Sequence, residues 1–176
     1  IDRETGQPYW AKPISQADHA LVWQALSGVR GFPVVEVVSP GRFVVFRHVR
    51  GRSLSAVESD RVALRKAFVE ALLSCQEASA RGIVLGSAPA DECVILTATD
   101  TVRLEFNYHD SIESRGGYAE YLGRLLRMMR LADPRDPQLF ELLEFVFKNP
   151  LHMVADHPLV AEWMRQHSQV GALLPQ

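Results

Sequence analysis

Residues 78–96, in the middle of the chain, read Ala78-Ser-Ala-Arg-Gly-Ile-Val-Leu-Gly-Ser-Ala-Pro-Ala-Asp-Glu-Cys-Val-Ile-Leu96. The small first residues of this stretch end a helical pattern, which breaks at Gly82. Its last four residues, Cys93 to Leu96, form a short apolar run of the kind that makes strands. The stretch therefore predicts a helix end, a loop and a strand in succession.

Upstream of this stretch the pattern predicts strands with one helix among them, followed by one long helix. Apolar residues recur at helical spacing from Asp60 to Arg81, and Arg50–Leu54 breaks the pattern before that helix. Towards the N terminus we expect, in chain order, a hairpin that returns into a strand ending at Pro13, a helix with Ser15 as its N-cap and Gly28 and Gly31 at its end, and two antiparallel strands, Pro33–Val38 and Arg42–Val49.

Downstream, the pattern changes from a hairpin to a run of helices. Val102–Phe106 follows the Cys93–Leu96 strand after a polar turn, so the two runs should pair. Apolar spacing then predicts three helices, Tyr118–Leu131, Pro137–Phe147 and Pro158–Met164. Strands followed by helices, without repeated strand–helix–strand units, indicate an α+β fold.

Composition narrows the class of protein. A chain of 176 residues that is 47% apolar can bury one sizeable core, which predicts a single domain over residues 1–176. The net charge is −2 and the pI about 6.3, so we expect neither nucleic-acid binding nor attraction to anionic membranes. No apolar run approaches the roughly 20 residues that span a bilayer, which predicts a soluble protein without membrane insertion.

The two cysteines indicate the redox compartment of the protein, and the first residue indicates what precedes the given sequence. Cys75 and Cys93 lie in apolar patterns without metal-ligand spacing, so each is expected to be a small core residue in a reduced, cytoplasmic protein, with a secreted effector as the open alternative. Because the chain opens on Ile1 instead of Met, we expect further residues upstream of it.

Local sequence along this layout resembles the protein-kinase fold, and most closely the small bacterial serine/threonine kinase-like proteins related to RIO-type and lipopolysaccharide kinases. The stretch from Ala78 to Leu96 is similar to the kinase pattern of a helix end, Gly-Ile-x-His-Gly-Asp-Leu, an Asn and a strand. Val44–Leu54 looks like the hinge strand that ends in Gly-x-x-Leu. The resemblance implies a small antiparallel β N-lobe over residues 1–50, incomplete if its glycine-rich loop precedes Ile1, and a mainly helical C-lobe over residues 51–176.

The catalytic positions of the family carry other residues in this chain. The resemblance places Ser87 at the catalytic-base Asp and Glu92 at the metal-binding Asn, while Asp-Phe-Gly falls on Glu105-Phe106-Asn107. Lys12, at the end of a strand, matches the lysine that holds the ATP phosphates, but His19 falls near the glutamate that should pair with it. The resemblance therefore implies no catalytic residue, and a nucleotide site limited to Lys12 and Glu105.

Chemistry of these residue types favours a degenerate site. A serine is not a base near neutral pH, and loss of general-base help costs a factor of ~10²–10⁴ in rate. Glu92 and Glu105 supply oxygen ligands that would suit Mg²⁺, although a solvated loop end is the simpler interpretation of both. Lys12 is likewise consistent with a strand-end lysine that reaches water.

The resulting expectation is a pseudokinase that acts as a protein-binding or regulatory module. It needs no cofactor, with ATP and Mg²⁺ as the ligands to test, and its partner is a protein. A different interpretation is a divergent ATP-dependent phosphotransferase that uses Lys12, Glu92 and Glu105. A further one is a small interaction subunit that only echoes the kinase fold, since fold does not fix function.

Overall fold

The computed structural model describes residues 9–13, 21, 24–32, 34–39, 42–47, 51–53, 56, 60–83, 94–97, 102–104 and 117–172. Within them lie six strands, β1 Tyr9–Pro13, β2 Val35–Ser39, β3 Phe43–Arg47, β4 Gly51–Ser53, β5 Val94–Thr97 and β6 Val102–Leu104. The helices are α1 Arg61–Ala80, α2 Gly117–Ala132, α3 Pro137–Lys148, α4 Leu151–Val154 and α5 Pro158–Ala172. All strand pairs are antiparallel and most described residues are helical, so the predicted α+β class is confirmed.

The first sheet has the strand order β1-β3-β2. Because β1 and β2 are both antiparallel to β3, they run parallel to each other and need a crossover connection. Residues 24–26 of that connection are helical, and Gly28 and Gly31 both adopt a φ of 78° where the helix has ended. The predicted helix end and the predicted antiparallel pair are thus confirmed, whereas the predicted N-cap Ser15 and the turn before Tyr9 lie outside the described residues.

The second sheet corrects one prediction. Its order is β4-β5-β6, and the predicted hairpin is present as β5 and β6. Arg50–Leu54, predicted only as a break, contains β4, whose Gly51 pairs with Thr97 of β5. A three-residue strand shows no periodicity of its own, and its partner lies far along the chain, so the local pattern could not reveal it.

Helix α1 lies at the centre of the molecule. Asp60 caps it, with its side chain accepting hydrogen bonds from the N–H groups of Val62 and Ala63 at 3.1 and 3.0 Å. The helix is buried over most of its circumference and contacts α2, α4, α5 and β6. Its buried side chains form one core with those of β3 and of the later helices.

The helical tail packs around α1. The predicted helices α2 and α3 are confirmed, with Asp136 capping α3 and Pro137 in its first turn. Helix α5 begins at the predicted Pro158 but continues to Ala172, well beyond Met164. The one-turn helix α4 was not predicted, because four residues are too few to show helical spacing.

Edge-to-face packing joins α5 to α1. The rings of Phe68 and Trp163 lie 5.5 Å apart at an interplanar angle of 83°, and both side chains are buried. Trp163 is therefore a core residue. Among the described residues no helix is long and apolar enough to cross a membrane.

Candidate functional site

Lys12 is the sequence-predicted site residue whose backbone is described. It lies on β1, and its Cα is opposite that of Val44 on β3, a residue whose side chain is completely buried. Pro13 follows it as the last residue of the strand. The predicted location of Lys12, at the end of a strand, is confirmed, while its role in holding a nucleotide stays a prediction.

The other predicted site residues cannot be placed in the same way. Ser87, Glu92 and Glu105, and also His19, lie outside the described residues. The predicted nucleotide and metal positions at Glu92 and Glu105 thus stay predictions. In the described part of the chain, no cluster of three or more His, Cys, Asp or Glu residues could hold a metal ion.

Both ends of the segment that contains Ser87 are nevertheless fixed. At its start, Gly82 adopts a φ of 73°, and the N–H of Ile83 donates to the carbonyl of Ala78 at 3.0 Å, which completes a Schellman motif at the end of α1. The Tyr118 hydroxyl of α2 donates to the Ile83 carbonyl. At its far end, Val94 enters β5, so residues 84–93 connect a tied helix end to a paired strand.

A buried carboxylate on α1 forms the most polar described cluster. Glu70, 2% exposed, accepts hydrogen bonds from both Nε and Nη2 of Arg30, at 2.8 and 2.6 Å. His167 of α5 places its Nε2 2.5 Å from the same carboxylate. A two-pronged arginine–carboxylate bond is among the strongest polar contacts in proteins. Glu70 therefore ties α1 to two segments distant in sequence.

Electrostatics keep Glu70 ionised. Burial alone would raise the pKa of this carboxyl, but the hydrogen bonds from Arg30 and His167 outweigh burial, and the pKa lies below its ordinary value of 4.5. The same bond raises the pKa of the Arg30 guanidinium, which burial opposes. Both partners are thus charged at neutral pH.

Glu77, two turns further along α1, holds the backbone of the same arginine. Its Oε2 accepts the N–H of Arg30 at 3.2 Å, and its Oε1 accepts a hydrogen bond from Arg81 at 2.8 Å. Nearby, the Ser27 hydroxyl accepts the N–H of Val35 at 3.0 Å. The two glutamates of α1 therefore fix the connection that leads into β2.

A pocket of about 200 Å³ opens beside this cluster, between the first turns of α1 and the middle of α5. It is lined by Val62, Arg65, Lys66, Trp163, Gln166 and His167. His167 belongs to both features, because its ring forms one wall of the pocket and bonds to Glu70.

Sequence reasoning missed this cluster and its pocket. One signal for Glu70 was present, since an acidic residue in the middle of a helix is flanked there by Val69 and Ala71 and followed one turn later by Ser74. A lone charge among apolar and small residues indicates a buried, paired group. No comparable signal marks Arg30 or His167, because only tertiary packing brings them to α1.

Cys75 behaves as the sequence suggested. Its side chain is completely buried, and burial raises the pKa of its thiol far above the ordinary value, so it stays protonated. It is thus a small core residue and not a nucleophile. Cys93 lies outside the described residues.

Comparison with known proteins brings no relative. No protein-family model matches the chain, and no curated protein matches it. The kinase-like interpretation therefore depends on the sequence pattern and on the order of the elements.

Proposed function

We propose that the chain is a catalytically degenerate kinase-like domain, a pseudokinase, that acts as a protein-binding or regulatory module. The order of its elements carries the proposal. A strand with Lys12, a helical segment, an antiparallel pair, a long helix, a hairpin and a helical tail follow one another as the resemblance implies. The antiparallel sheet ahead of α1 and the helices behind it agree with a small N-lobe and a mainly helical C-lobe.

The degenerate part of the proposal comes from the residues at the catalytic positions. Phosphoryl transfer is mostly positioning and charge neutralisation, and it needs a carboxylate near the attacking hydroxyl. Ser87 lies between two anchored ends, Ile83 and Val94, in the segment that corresponds to the catalytic loop. A serine at the position where the resemblance expects the catalytic base favours binding over turnover.

Nucleotide binding and turnover are tested together. The protein is mixed with ATP and Mg²⁺, and its melting temperature and the transfer of labelled phosphate to itself or to a generic protein substrate are measured. We expect no transfer. A rise in melting temperature would identify a nucleotide held without turnover, because a ligand stabilises the state it binds, by about 2.7 kcal/mol at 100 times its Kd.

The matched variants for this test are Lys12→Ala and Lys148→Ala. Lys148 is an exposed lysine on α3 that pairs with Glu144, so its loss controls for the removal of one positive charge. Phosphate transfer that disappears in Lys12→Ala and persists in Lys148→Ala would overturn the proposal in favour of the phosphotransferase. If the wild type transfers no phosphate and ATP changes the melting temperatures of the two variants equally, the result would support a module that works through protein contacts.

The divergent phosphotransferase is the second candidate. The position of Lys12 favours it, because a lysine at the end of a strand opposite a fully buried residue is where the family holds ATP phosphates. Glu92 and Glu105 would then hold Mg²⁺ through their carboxylates. Loss of transfer in Glu105→Ala as well as in Lys12→Ala would assign the activity to that set.

A small interaction subunit with only a fold echo of kinases is the third candidate. It shares the protein partner with the first proposal but makes no use of Lys12. A domain that neither binds nucleotide nor changes its partner binding in Lys12→Ala would favour it.

A further inference from the structure

The pocket between α1 and α5 combines an apolar side with a basic side. Val62 is 61% exposed at its rim, and the edge of the buried Trp163 indole contributes to its wall. Arg65 and Lys66 from α1, together with Gln166 and His167 from α5, supply the polar groups. The lining therefore offers donors for an anion next to surface for an apolar group.

Arg65 is the residue that determines the charge preference. Its guanidinium lies over the Trp163 ring, 5.6 Å from the ring centre, which orients the group at the pocket. No carboxylate in the described part of the chain lies within salt-bridge distance of it. A partly buried guanidinium with its donors free to bind an anion is the simplest recognition group for a carboxylate or a phosphate.

The carboxylates close to Arg65 bind other partners. Asp133 and Asp136 line a much smaller cavity on the other side of Arg65, which holds about 10 Å³. Asp133 pairs with Arg61 at 2.9 Å, and Asp136 caps α3 by accepting the N–H of Gln138 at 2.9 Å. Glu70, behind His167, is already neutralised by Arg30. Glu162 of α5 accepts a hydrogen bond from Nε2 of Gln166 at 3.0 Å. Among the described residues, Arg65 is therefore the pocket residue whose guanidinium has no carboxylate partner.

We propose that this pocket binds a small organic anion, in which a carboxylate or phosphate group is attached to an apolar body. Arg65 holds the charged group, and Val62 and the Trp163 indole contact the apolar body. The volume is below the roughly 300–1,000 Å³ of pockets for drug-sized molecules, so the ligand is small. This site is independent of the proposed kinase-like function, because none of its residues belongs to the predicted nucleotide site.

A ligand in the pocket would contact His167, and His167 bonds to Glu70 on the central helix α1. The ring contacts the ligand on one side and Glu70 on the other, and Glu70 holds Arg30 in the connection to β2. A bound anion therefore stiffens the contact between α5 and the connection that leads into β2. In a regulatory module this is a route by which a small molecule could act on the protein.

The test uses phenyl phosphate as the probe and NMR of the full chain as the readout. The indole N–H signal of Trp163 is assigned by its loss in Trp163→Phe. We expect that phenyl phosphate shifts this signal in a saturable way with a Kd on the order of 1 mM or tighter. Benzyl alcohol, which has the ring without the charge, should bind at least about tenfold more weakly, because hydrogen bonds to charged groups are the stronger ones.

Two arginine variants locate the site. Arg65→Gln should weaken phenyl phosphate binding at least about tenfold. Arg165→Gln removes an exposed arginine from the same helix α5 that does not line the pocket, so binding should stay within about twofold of the wild type. The melting temperature of each variant verifies that it is folded.

The proposal would be overturned by the absence of a saturable shift with phenyl phosphate, by equal binding of benzyl alcohol, or by equal losses in the two arginine variants. Inorganic phosphate that binds as tightly as phenyl phosphate would show that the apolar side contributes nothing and would also overturn it. ATP bound through Lys12 is distinguished by Lys12→Ala, which should leave the phenyl phosphate titration unchanged.

Discussion

Helices α1 and α3 both begin after an aspartate N-cap but bury their side chains differently. Eleven side chains of α1 are buried, around most of its circumference, whereas α3 buries only Leu139, Leu142 and Val146, on one face. The same kinds of residue therefore occur in two settings. Phe68 and Glu70 of α1 are inside, and Phe140 and Glu144 of α3 face water. The surroundings of a side chain, and not its residue type, therefore determine what each contact contributes to stability.

The largest effect should come from Phe68. Phe68→Ala removes a completely buried ring that packs edge-to-face on Trp163, and such truncations cost about 3–5 kcal/mol of unfolding free energy. Phe140→Ala is the matched control, since that ring is 48% exposed and should cost less than about 1 kcal/mol. Urea unfolding monitored by circular dichroism measures both. Equal losses in the two variants would mean that α3 is as buried in solution as α1.

The next effect concerns the two glutamates. Glu70→Gln removes the charge that binds Arg30 and His167 inside the protein, and we expect a loss of about 2–3 kcal/mol. The figure stays below that for a fully buried pair, because the Arg30 side chain is 46% exposed and water solvates it after the loss. Glu144→Gln breaks an exposed pair with Lys148 and should cost about 0.5 kcal/mol or less. Similar losses in both would contradict the assigned burial of Glu70.

The contribution of Glu70 to the unfolding free energy should depend on pH. The pKa of Glu70 is lower in the folded state than in the unfolded chain, so its stabilising contribution is complete above the ordinary value of 4.5. The contribution falls as the pH drops below that value towards the lowered folded-state pKa, because the unfolded chain takes up the proton first. Unfolding free energies measured between pH 7 and acid should converge for the wild type and Glu70→Gln. A constant difference over that range would show that folding does not lower the pKa of Glu70.

The length of each element, and the distance along the chain between contacting residues, determine which features could be predicted from the sequence. Spacing of apolar residues located α1, α2, α3 and the strands of both hairpins, since each of these elements shows its period along several residues. It missed β4 and α4, which are too short to show one, and the far end of α5. The cluster around Glu70 was out of reach for a different reason, because its partners lie 40 and 97 residues away along the chain.

Of the predicted site, only the strand position of Lys12 could be compared with the structure. A strand lysine before Pro13 is a local feature, and the local pattern predicted it correctly. The roles of Ser87, Glu92 and Glu105 come from an alignment of patterns over many residues, and they stay predictions. The pocket at Arg65 shows the opposite case, in which residues without any shared motif are brought together by packing of α5 on α1.

The smallest effect tests how firmly α3 is held to the rest of the helices. A Cβ added at Gly123 of α2 would lie 2.7 Å from Cε2 and 2.9 Å from Cζ of Phe147, closer than carbon atoms approach. The Phe147 ring is 46% exposed and lies under the guanidinium of Arg127, 5.6 Å from its centre. It can therefore swing towards water, at the loss of this contact. We expect Gly123→Ala to cost about 1 kcal/mol.

The effect of Gly123→Ala on stability should change sign when Phe147 is replaced by alanine. In a Phe147→Ala background the obstacle is gone, and alanine in a helix is favoured over glycine by about 0.5–1 kcal/mol. Gly123→Ala should thus destabilise the wild type and stabilise Phe147→Ala, and urea unfolding of the four proteins measures the coupling. If Gly123→Ala has the same effect in both backgrounds, the ring does not rest on Gly123. In that case α3 would be held to α2 through its buried face of Leu139, Leu142 and Val146 and through the contact of Arg130 with the Phe140 ring.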